Sequence, residues 1–360
     1  MKNLVDFDYV NIKDKELTNL FLSSNNIKKY ILGINKYTRS IIKYIKIDGI
    51  IDDFTRVQSS RKKSILKLEN INKSDSIILC AVTGSPLEVH NRLNSMGYRN
   101  INYLAFYKYS SLDILKPPFI CDFENDFLLN KDRYNYTYNL LSDKKSQMIF
   151  NKIINFKITF DFKFMKGFVN NHKDQYFDKD IIKNKISNIV FFDGGGYIGD
   201  TSLEVIKNYP DFKKIYLVEP IAKNIEIAKR NLLNYSNIDF FNIGISDQKM
   251  ILNSYEDKSF SNIYGLDDGD LIEINTIDNI LKNQKIDFIK LDIEGAELNA
   301  INGAIETIKN YNPILAICIY HQASHWYSVP KAVLKINPSY KVYVRHYMEG
   351  IYETVMYFIP

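Results

Sequence analysis

The sequence predicts an α/β protein with a smaller Rossmann-like region followed by a larger doubly wound sheet in the C-terminal half. Short apolar runs that suit buried parallel strands alternate with helical stretches between residues 28 and 106, and the alternation restarts at residue 186. A glycine-rich segment, residues 193–199, directly follows the first strand of the second region. Strands that alternate with helices are typical of parallel sheets.

Length and composition limit the class of protein. A chain of 360 residues exceeds one ordinary core, so two domains are expected. The net charge of +5 is spread along the chain, which argues against a nucleic-acid partner. The three cysteines have neither zinc spacing nor a disulfide framework. Because no apolar run has transmembrane length, we expect a cytoplasmic protein without a membrane span.

The N-terminal region carries the first set of predicted elements. Strands are predicted at 28–33, 47–51, 76–82 and 101–106, and helices at 37–44 and 87–96. Only Gly33 remains of a glycine loop after the first strand, and Asn35 and Lys36 follow it. This degenerate pattern favours a structural, dimerising or acceptor-presenting role over a cofactor site, and a homodimer is one interpretation. The predicted domains are 1–120, a helical connector at 121–185, and 186–360.

The C-terminal region has the clearer alternation. Strands are predicted at 189–192, 214–218, 238–243, 286–293 and 313–320, helices at 221–234 and 297–309, and a closing antiparallel strand pair at 340–345 and 352–359. Such a closing pair is common in mixed sheets.

The glycine-rich segment indicates a nucleotide-type cofactor. Gly194, Gly196 and Gly199 fit G-x-G-x-x-G, whereas Gly195 looks surplus to that pattern. The turn lets a ligand approach the backbone and the free N–H groups of a helix start. Glu219 ends the next strand, where a carboxylate can accept hydrogen bonds from two ribose hydroxyls. Nicotinamide dinucleotides and S-adenosylmethionine (SAM) both satisfy this pattern.

Two carboxylates bear on that choice. Asp193, immediately before the glycines, favours SAM because it can face the cationic methionine end. In the fourth strand, Lys290, Asp292 and Glu294 have the same parity and share one face if the strand persists. Three charges on an interior strand are costly unless they are paired or bind a ligand, so a structural Lys290–carboxylate pair is the alternative.

An ordered set of motifs resembles the FkbM-type methyltransferase family over about residues 130–360. The motifs are QYF at 175–177, FFDGGGYIGDTS, LVEP, NIGISDQ, TIDNIL, FIKLDIEGAELNAINGA, LAICIYH and the closing RHY…ETVMY. The resemblance implies a SAM-binding doubly wound sheet and methylation of hydroxyl oxygens, often on sugars or natural products.

The resemblance also implies roles for cofactor-binding residues. The glycine loop with Asp193 would line the methionine and ribose of SAM, and Glu219 would hold the ribose. Asp247 would lie near the adenine, and Asp292 near the transferring methyl group.

Methyl transfer to a hydroxyl gains from removal of its proton. His321, at the carboxyl end of the fifth strand, is the first candidate base, and Asp292 beside Lys290 is the second. A magnesium ion held by Asp292 with Glu294 or Glu297 is a second-ranked route.

The acceptor is expected to be a sugar or nucleotide sugar, of a surface-polysaccharide type by resemblance only. Residues proposed to contact it are Glu294, His325, Trp326, Arg345 and His346. An NAD(P)-dependent oxidoreductase built on the same glycine loop is one alternative function. A non-catalytic SAM-binding scaffold is another, since fold alone does not separate these classes.

Overall fold

The computed structural model describes residues 10–53, 59–60, 63–120, 123–183, 186–253 and 271–360. The chain divides into two compact units. The first comprises the described residues of Met1–Glu124 with Asn151–Asn170 and Met348–Ile351, and the second comprises Asn125–Phe150, Asn171–Tyr347 and Tyr352–Pro360. The three predicted domain ranges stay a prediction.

The first unit is built on a six-stranded sheet. Its strands are β1 Lys28–Leu32, β2 Gly49–Ile51, β3 Ser59–Ser60, β4 Lys63–Leu66, β5 Ser76–Cys80 and β6 Asn100–Asn102, and its helices include α1 Ile12–Ser23, α2 Lys36–Ile41, α3 Pro86–Ser95 and α4 Tyr103–Tyr109. The strand order is β3-β4-β2-β1-β5-β6, with only β3 antiparallel to its neighbour. The prediction of a Rossmann-like sheet here is confirmed.

One predicted strand of this unit is largely a helix. Residues 101–106 were expected to be extended, but the strand ends at Asn102 and α4 begins at Tyr103. The Asn102 side chain accepts a hydrogen bond from the backbone N–H of Ala105 at 2.9 Å. This helix cap stops the strand, because it satisfies an N–H group that an extended chain would leave to a neighbouring strand.

Residues 123–165, within the predicted connector, are mostly helical. They contain α5 Phe123–Leu129, α6 Lys131–Leu140, α7 Lys144–Thr159 and a 3₁₀ turn at Phe162–Met165. The residues of α7 up to Phe150 belong to the second unit and those from Asn151 to the first.

The second unit holds a seven-stranded sheet and a small three-stranded one. The strands are β7 Val190–Gly194, β8 Lys214–Val218, β9 Ile238–Phe241, β10 Gly244–Ile245, β11 Met250–Asn253, β12 Leu271–Asn275, β13 Phe288–Leu291, β14 Ile314–Cys318, β15 Lys341–His346 and β16 Thr354–Ile359. The helices are α8 Asp200–Asn208, α9 Ala222–Asn231, α10 Ile277–Leu281, α11 Glu297–Asn302, α12 Ile305–Tyr311 and α13 His325–Ile336.

The order of the large sheet is β15-β16-β14-β13-β7-β8-β9. β7 to β9, β13 and β14 are parallel, and β16 and β15 close the sheet as antiparallel strands. The predicted doubly wound sheet with a closing antiparallel pair is therefore confirmed. The chain runs outward from β7 in one direction and from β13 in the other, so these adjacent strands form the topological switch point, where ligands bind in such sheets.

Two boundaries differ from the sequence prediction. The helix expected over 297–309 is interrupted at Gly303, where a Cβ would overlap the carbonyl oxygen of Ser246, and the Gly303 carbonyl accepts the N–H of Asp278. The fourth strand ends at Leu291 instead of Ile293, because the chain turns into left-handed conformations at Glu294 and Gly295.

Aromatic side chains form part of the core beneath the switch point. The rings of Phe191 and Phe288 on adjacent strands lie 5.2 Å apart, and Phe177 packs against both at 6.1 and 6.0 Å. Each buried ring contributes about 1.5–3 kcal/mol. The core therefore ties the QYF segment to the sheet. Among the described residues, no helix combines the length and apolarity needed to cross a bilayer.

Candidate active site

A cavity of about 690 Å³ opens at the carboxyl ends of β7, β8, β13 and β14. Its lining combines parts of the glycine loop, the end of β8, the segment after β13 and residues from outside the parallel strands. Cofactor and substrate pockets of proteins commonly have about 300–1,000 Å³. Within the described part of the chain, six carboxylates line the cavity: Asp200, Glu204, Glu219, Asp292, Glu294 and Glu353.

The glycine loop is set by close backbone contacts. Gly195 has φ +75°, and a Cβ there would overlap the carbonyl oxygen of Asp292. Gly199 has φ +83° as the N-cap of α8, and a Cβ would lie 2.7 Å from Leu232. Gly195, which looked surplus in the sequence, is therefore required by the packing of the loop against the segment after β13.

Asp193 and Lys290 form a buried ion pair beneath the loop. Lys290 Nζ lies 3.1 Å from Asp193 Oδ1 and donates to the Gly195 carbonyl at 2.7 Å. Ser202 Oγ donates to the other Asp193 oxygen at 2.7 Å. Burial alone would lower the pKa of Lys290, but Asp193 and then Asp292 outweigh it and raise that pKa.

This pair gives Asp193 a different position from the one expected. Its side chain is fully buried and is outside the lining of the cavity, while Lys290 and Gly195 belong to that lining. The structural alternative, a Lys290–carboxylate pair, thus describes its contacts, with Asp193 as the partner. The pair fixes the loop's shape from below.

Glu219 lines the cavity at the end of β8, as the sequence suggests. Its carboxylate accepts hydrogen bonds from the backbone N–H groups of Tyr197 and Ile221, both at 3.1 Å, and from Asn224 Nδ2 at 3.2 Å. These three donors fix the carboxylate and leave lone-pair capacity for a ligand hydroxyl. Asp247 is exposed and outside the lining, which Ile243 and Ile245 enter in its place.

Asp292 lies where segments distant in sequence meet. Tyr176 Oη donates to Asp292 Oδ2 at 2.8 Å, and Tyr320 Oη donates to Asp292 Oδ1 at 3.0 Å. Burial, then the Asp292 charge, raises the pKa values of both phenols well above their ordinary value. Both tyrosines therefore stay protonated and orient the Asp292 carboxylate at the cavity. Tyr320 was not among the predicted site residues.

His321 lies behind this carboxylate instead of lining the cavity. Its Nδ1 is 2.8 Å from Glu297 Oε1, and its Nε2 is 3.5 Å from Asp292 Oδ1 and 3.6 Å from Glu294 Oε2. Burial disfavours the imidazolium, but Glu297 outweighs it and raises the pKa of His321 to about 9. At neutral pH the ring is protonated. A protonated ring suits the role of a cation that holds three carboxylates better than the role of a general base.

Glu297 is the centre of that charge cluster. Its Oε1 also accepts the N–H of Ile293 at 2.9 Å, and its Oε2 lies 3.3 Å from His325 Nδ1. Burial would raise the pKa of Glu297, but His321 and His325 hold it well below its ordinary value. Glu297 is thus a buried anion held between two histidines.

Asp292, Glu297 and His321 offer ligand atoms within 4.8 Å of one another. To bind a cation, His321 would have to lose its proton and Glu297 would have to give up the hydrogen bond from the Ile293 N–H. Magnesium also prefers oxygen ligands to imidazole. The contacts give the magnesium hypothesis no support.

The His321 cluster predicts a pH-dependent stability. The pKa of His321 is raised from 6.5 to about 9 in the folded chain, so its contribution is complete below about pH 6.5 and is lost as pH rises through about 9. We expect the stability advantage of the wild type over His321→Asn to fall by about 3 kcal/mol from pH 6 to pH 10 in urea denaturation. His172→Asn, at an exposed histidine, is the control. An advantage that is equal at both pH values would contradict the assignment.

Glu294 alone among the expected acceptor contacts lines the cavity. His325 and Trp326, on α13, are buried, and the Trp326 ring packs edge-on against Phe150 at 5.1 Å. His346 Nδ1 lies 2.9 Å from Thr354 Oγ1. These contacts place the three side chains in the core of the unit.

Arg345 is likewise a packing residue. Its guanidinium donates to Asp143 Oδ2 at 2.8 Å and to Ser146 Oγ at 2.8 Å, and its Nε lies 3.3 Å from Asp178 Oδ2. The side chain is 3% exposed. It ties β15 to α7 and has no position in the cavity lining.

Comparisons with known proteins bear on this arrangement. The model of the methyltransferase FkbM domain matches residues 193–343. The crystal structure of methyltransferase FkbM from Methylobacillus flagellatus superposes with a TM-score of 0.77 at 20% identity, covering 97% of this chain and 94% of that one. This likeness shows that the fold is shared over nearly the whole length.

Two further solved structures superpose only weakly. Precorrin-6y C5,15-methyltransferase from Geobacter metallireducens has a TM-score of 0.33 at 11% identity, over 54% of this chain and 89% of that one. An rRNA methylase from Streptococcus thermophilus has a TM-score of 0.31 at 11% identity, over 48% and 87%. A search of curated protein sequences found no match. The resemblance that the motifs implied is confirmed for residues 193–343, which match the methyltransferase FkbM domain.

Proposed function

We propose that the cavity binds SAM and that the chain transfers its methyl group to a hydroxyl oxygen of a sugar or glycan precursor. One observation carries this proposal: Glu219 is held by three donors at the mouth of the glycine loop, in a cavity lined by six carboxylates. A fixed carboxylate there suits a ribose diol. The acidic lining suits a cation, and SAM carries both an ammonium and a sulfonium group.

The residues of the cavity fit distinct parts of this ligand. The Gly195 backbone leaves room for close approach, and Glu219 accepts from the ribose hydroxyls. Ile243 and Ile245 offer an apolar wall for an adenine ring. When bound, SAM supplies a methyl group already activated by the sulfonium. Asp292, oriented by Tyr176 and Tyr320, is placed to attract that charge and to align the acceptor hydroxyl.

The acceptor class follows from the charge of the lining. Carboxylates and phenol groups can exchange hydrogen bonds with sugar hydroxyls, whereas the carboxylates would repel a phosphate. A neutral sugar is therefore favoured over a nucleotide sugar at this site. Sugar methylation of a surface-polysaccharide type remains a proposal from family resemblance.

The first unit is proposed to have a structural, dimerising or acceptor-presenting role. The side chain of Asn35 accepts hydrogen bonds from the N–H groups of Tyr37 and Thr38 at 2.9 and 3.1 Å. Glu349 Oε2 accepts the N–H of Glu88 in the first turn of α3 at 2.9 Å. Since the chain's own oxygens use these N–H groups, a phosphate would have to displace them.

Glu219→Gln tests the proposed function. We expect SAM to bind the wild type with micromolar affinity in calorimetry and the variant about 10–100-fold more weakly, because hydrogen bonds to a charged group contribute about 1.5–3 kcal/mol. Glu226→Gln, on the exposed face of α9, is the matched control and should bind like the wild type. Binding of NAD in place of SAM would favour the oxidoreductase alternative. SAM binding without turnover of any sugar acceptor would favour the scaffold alternative.

A further inference from the structure

Glu353 enters the cavity from the turn before β16. Its φ of +57° lies in the left-handed region, which a glutamate rarely adopts. The Glu353 carbonyl accepts the N–H of Tyr347 at 3.1 Å, which ties the turn to the residue that follows β15. Strained backbone of this kind concentrates at functional sites. The turn holds this side chain in the cavity lining at a conformational cost.

The Glu353 carboxylate has one fixed and one available oxygen. Oε2 accepts a hydrogen bond from Gln175 Nε2, which also donates to the Tyr176 hydroxyl at 2.9 Å. The Tyr176 hydroxyl in turn donates to Asp292. Among the described residues, no hydrogen bond reaches Glu353 Oε1. A single network therefore orients two cavity carboxylates and leaves one oxygen of Glu353 able to exchange a proton.

The surroundings of Glu353 raise the pKa of its carboxyl into the neutral range. Burial, then the Asp292 charge, raises the pKa of Glu353 to about 7, against the opposing influence of the Gln175 hydrogen bond, His172 and His321. The other titratable groups facing it, Tyr176, Tyr320 and Cys318, have raised pKa values and stay neutral. Glu353 is thus a cavity carboxyl that a nearby positive charge can ionise.

On the basis of the proposed function, we propose that Glu353 is the general base for the acceptor hydroxyl and that the cationic cofactor sets it in its ionised form. In the transfer, the acceptor oxygen bonds to the methyl carbon while the carbon–sulfur bond breaks and its electron pair passes to sulfur. The hydroxyl proton moves to Glu353 Oε1. The products are a methyl ether, neutral S-adenosylhomocysteine (SAH) and protonated Glu353, which balances the charge.

SAM and SAH therefore favour opposite protonation states of the Glu353 carboxyl. A sulfonium in the cavity stabilises the Glu353 anion, because opposite charges lower the pKa of an acid. Once sulfur is neutral, that attraction is gone and the carboxyl retains the proton that it accepted. Glu353 should accordingly be ionised with SAM and protonated with SAH, at the same neutral pH.

Infrared difference spectra at pH 7 test this directly, since a protonated carboxyl has a carbonyl band that a carboxylate lacks. We expect SAM to remove one such band and to release a fraction of a proton, read from calorimetry in buffers of different ionisation enthalpy. SAH should leave the band in place. The isosteric Glu353→Gln should bind SAM at least about fivefold more weakly, because the cofactor favours the Glu353 anion that this variant lacks, and should show neither signal.

Glu294→Gln is the matched comparison, because Glu294 also lines the cavity and its pKa is also raised. Burial is the main cause, and the Asp292 charge adds to it, while His321 acts in the opposite direction. Loss of the band change in Glu294→Gln but not in Glu353→Gln would overturn the proposal. So would proton release without a band change, which would point to His321.

The wild type alone gives a second readout, since proton release from Glu353 must be largest below pH 7, between the pKa values of the free and SAM-bound carboxyl, and absent at pH 9, where free Glu353 is ionised. Absence of SAM binding to the wild type would instead defeat the proposed function, and this inference with it.

Discussion

Gly195→Ala is expected to lower the free energy of unfolding by about 3–5 kcal/mol and to abolish cofactor binding. The added Cβ would overlap the carbonyl oxygen of Asp292, and the φ of +75° is costly for alanine. Relief requires the loop and the segment after β13 to separate, which displaces the Asp292 carboxylate. Urea denaturation measures the loss of stability, and calorimetry with SAM measures the loss of binding.

Gly84→Ala provides the comparison for that substitution. A Cβ at Gly84 meets no atom within 4 Å, so stability should change by less than about 0.5 kcal/mol. If Gly195→Ala were as stable as Gly84→Ala, the contact between the glycine loop and Asp292 would not constrain the site.

Asp193→Asn is expected to cost about 3–5 kcal/mol, because it leaves the Lys290 ammonium buried without its counter-charge. Adding Lys290→Met to this variant should restore much of the loss, since a neutral pair removes the unpaired charge. The free energies of unfolding of the wild type, both single variants and the double variant complete the cycle.

A half-exposed pair in the same sheet serves as its control. Lys214 and Asp239 lie 2.6 Å apart with side chains 30% and 46% exposed, so Asp239→Asn should cost less than about 1 kcal/mol. Equal losses at Asp193 and Asp239 would show that burial does not set the strength of the Lys290 pair.

Local patterns predicted the parts of the site that are continuous in sequence. The glycine loop and Glu219 both follow strands, and their spacing alone places them at the switch point. The same reasoning predicted that Asp193 faces the cofactor, and the pattern did not reveal that Lys290, 97 positions later, reaches back to pair with it.

Other site residues have no local signal. Tyr320 and Glu353 reach the cavity only through the packing of β14 and the turn before β16. Conversely, Arg345 and His346 are residue types that often bind ligands, yet their partners on α7 and β16 make them core residues. Long-range pairing of side chains, which no single segment encodes, accounts for both kinds of difference.

The hydrogen bond that the Tyr176 hydroxyl donates to Asp292 spans 116 positions of the chain. Tyr176 precedes the matched range 193–343, and Glu353 follows it. Two chains aligned over that range alone can thus look equivalent while differing at both residues. Classification of such chains by acceptor chemistry should compare the flanking positions 175–177 and 353 as well. Differences in activity between such chains can therefore lie outside the range 193–343.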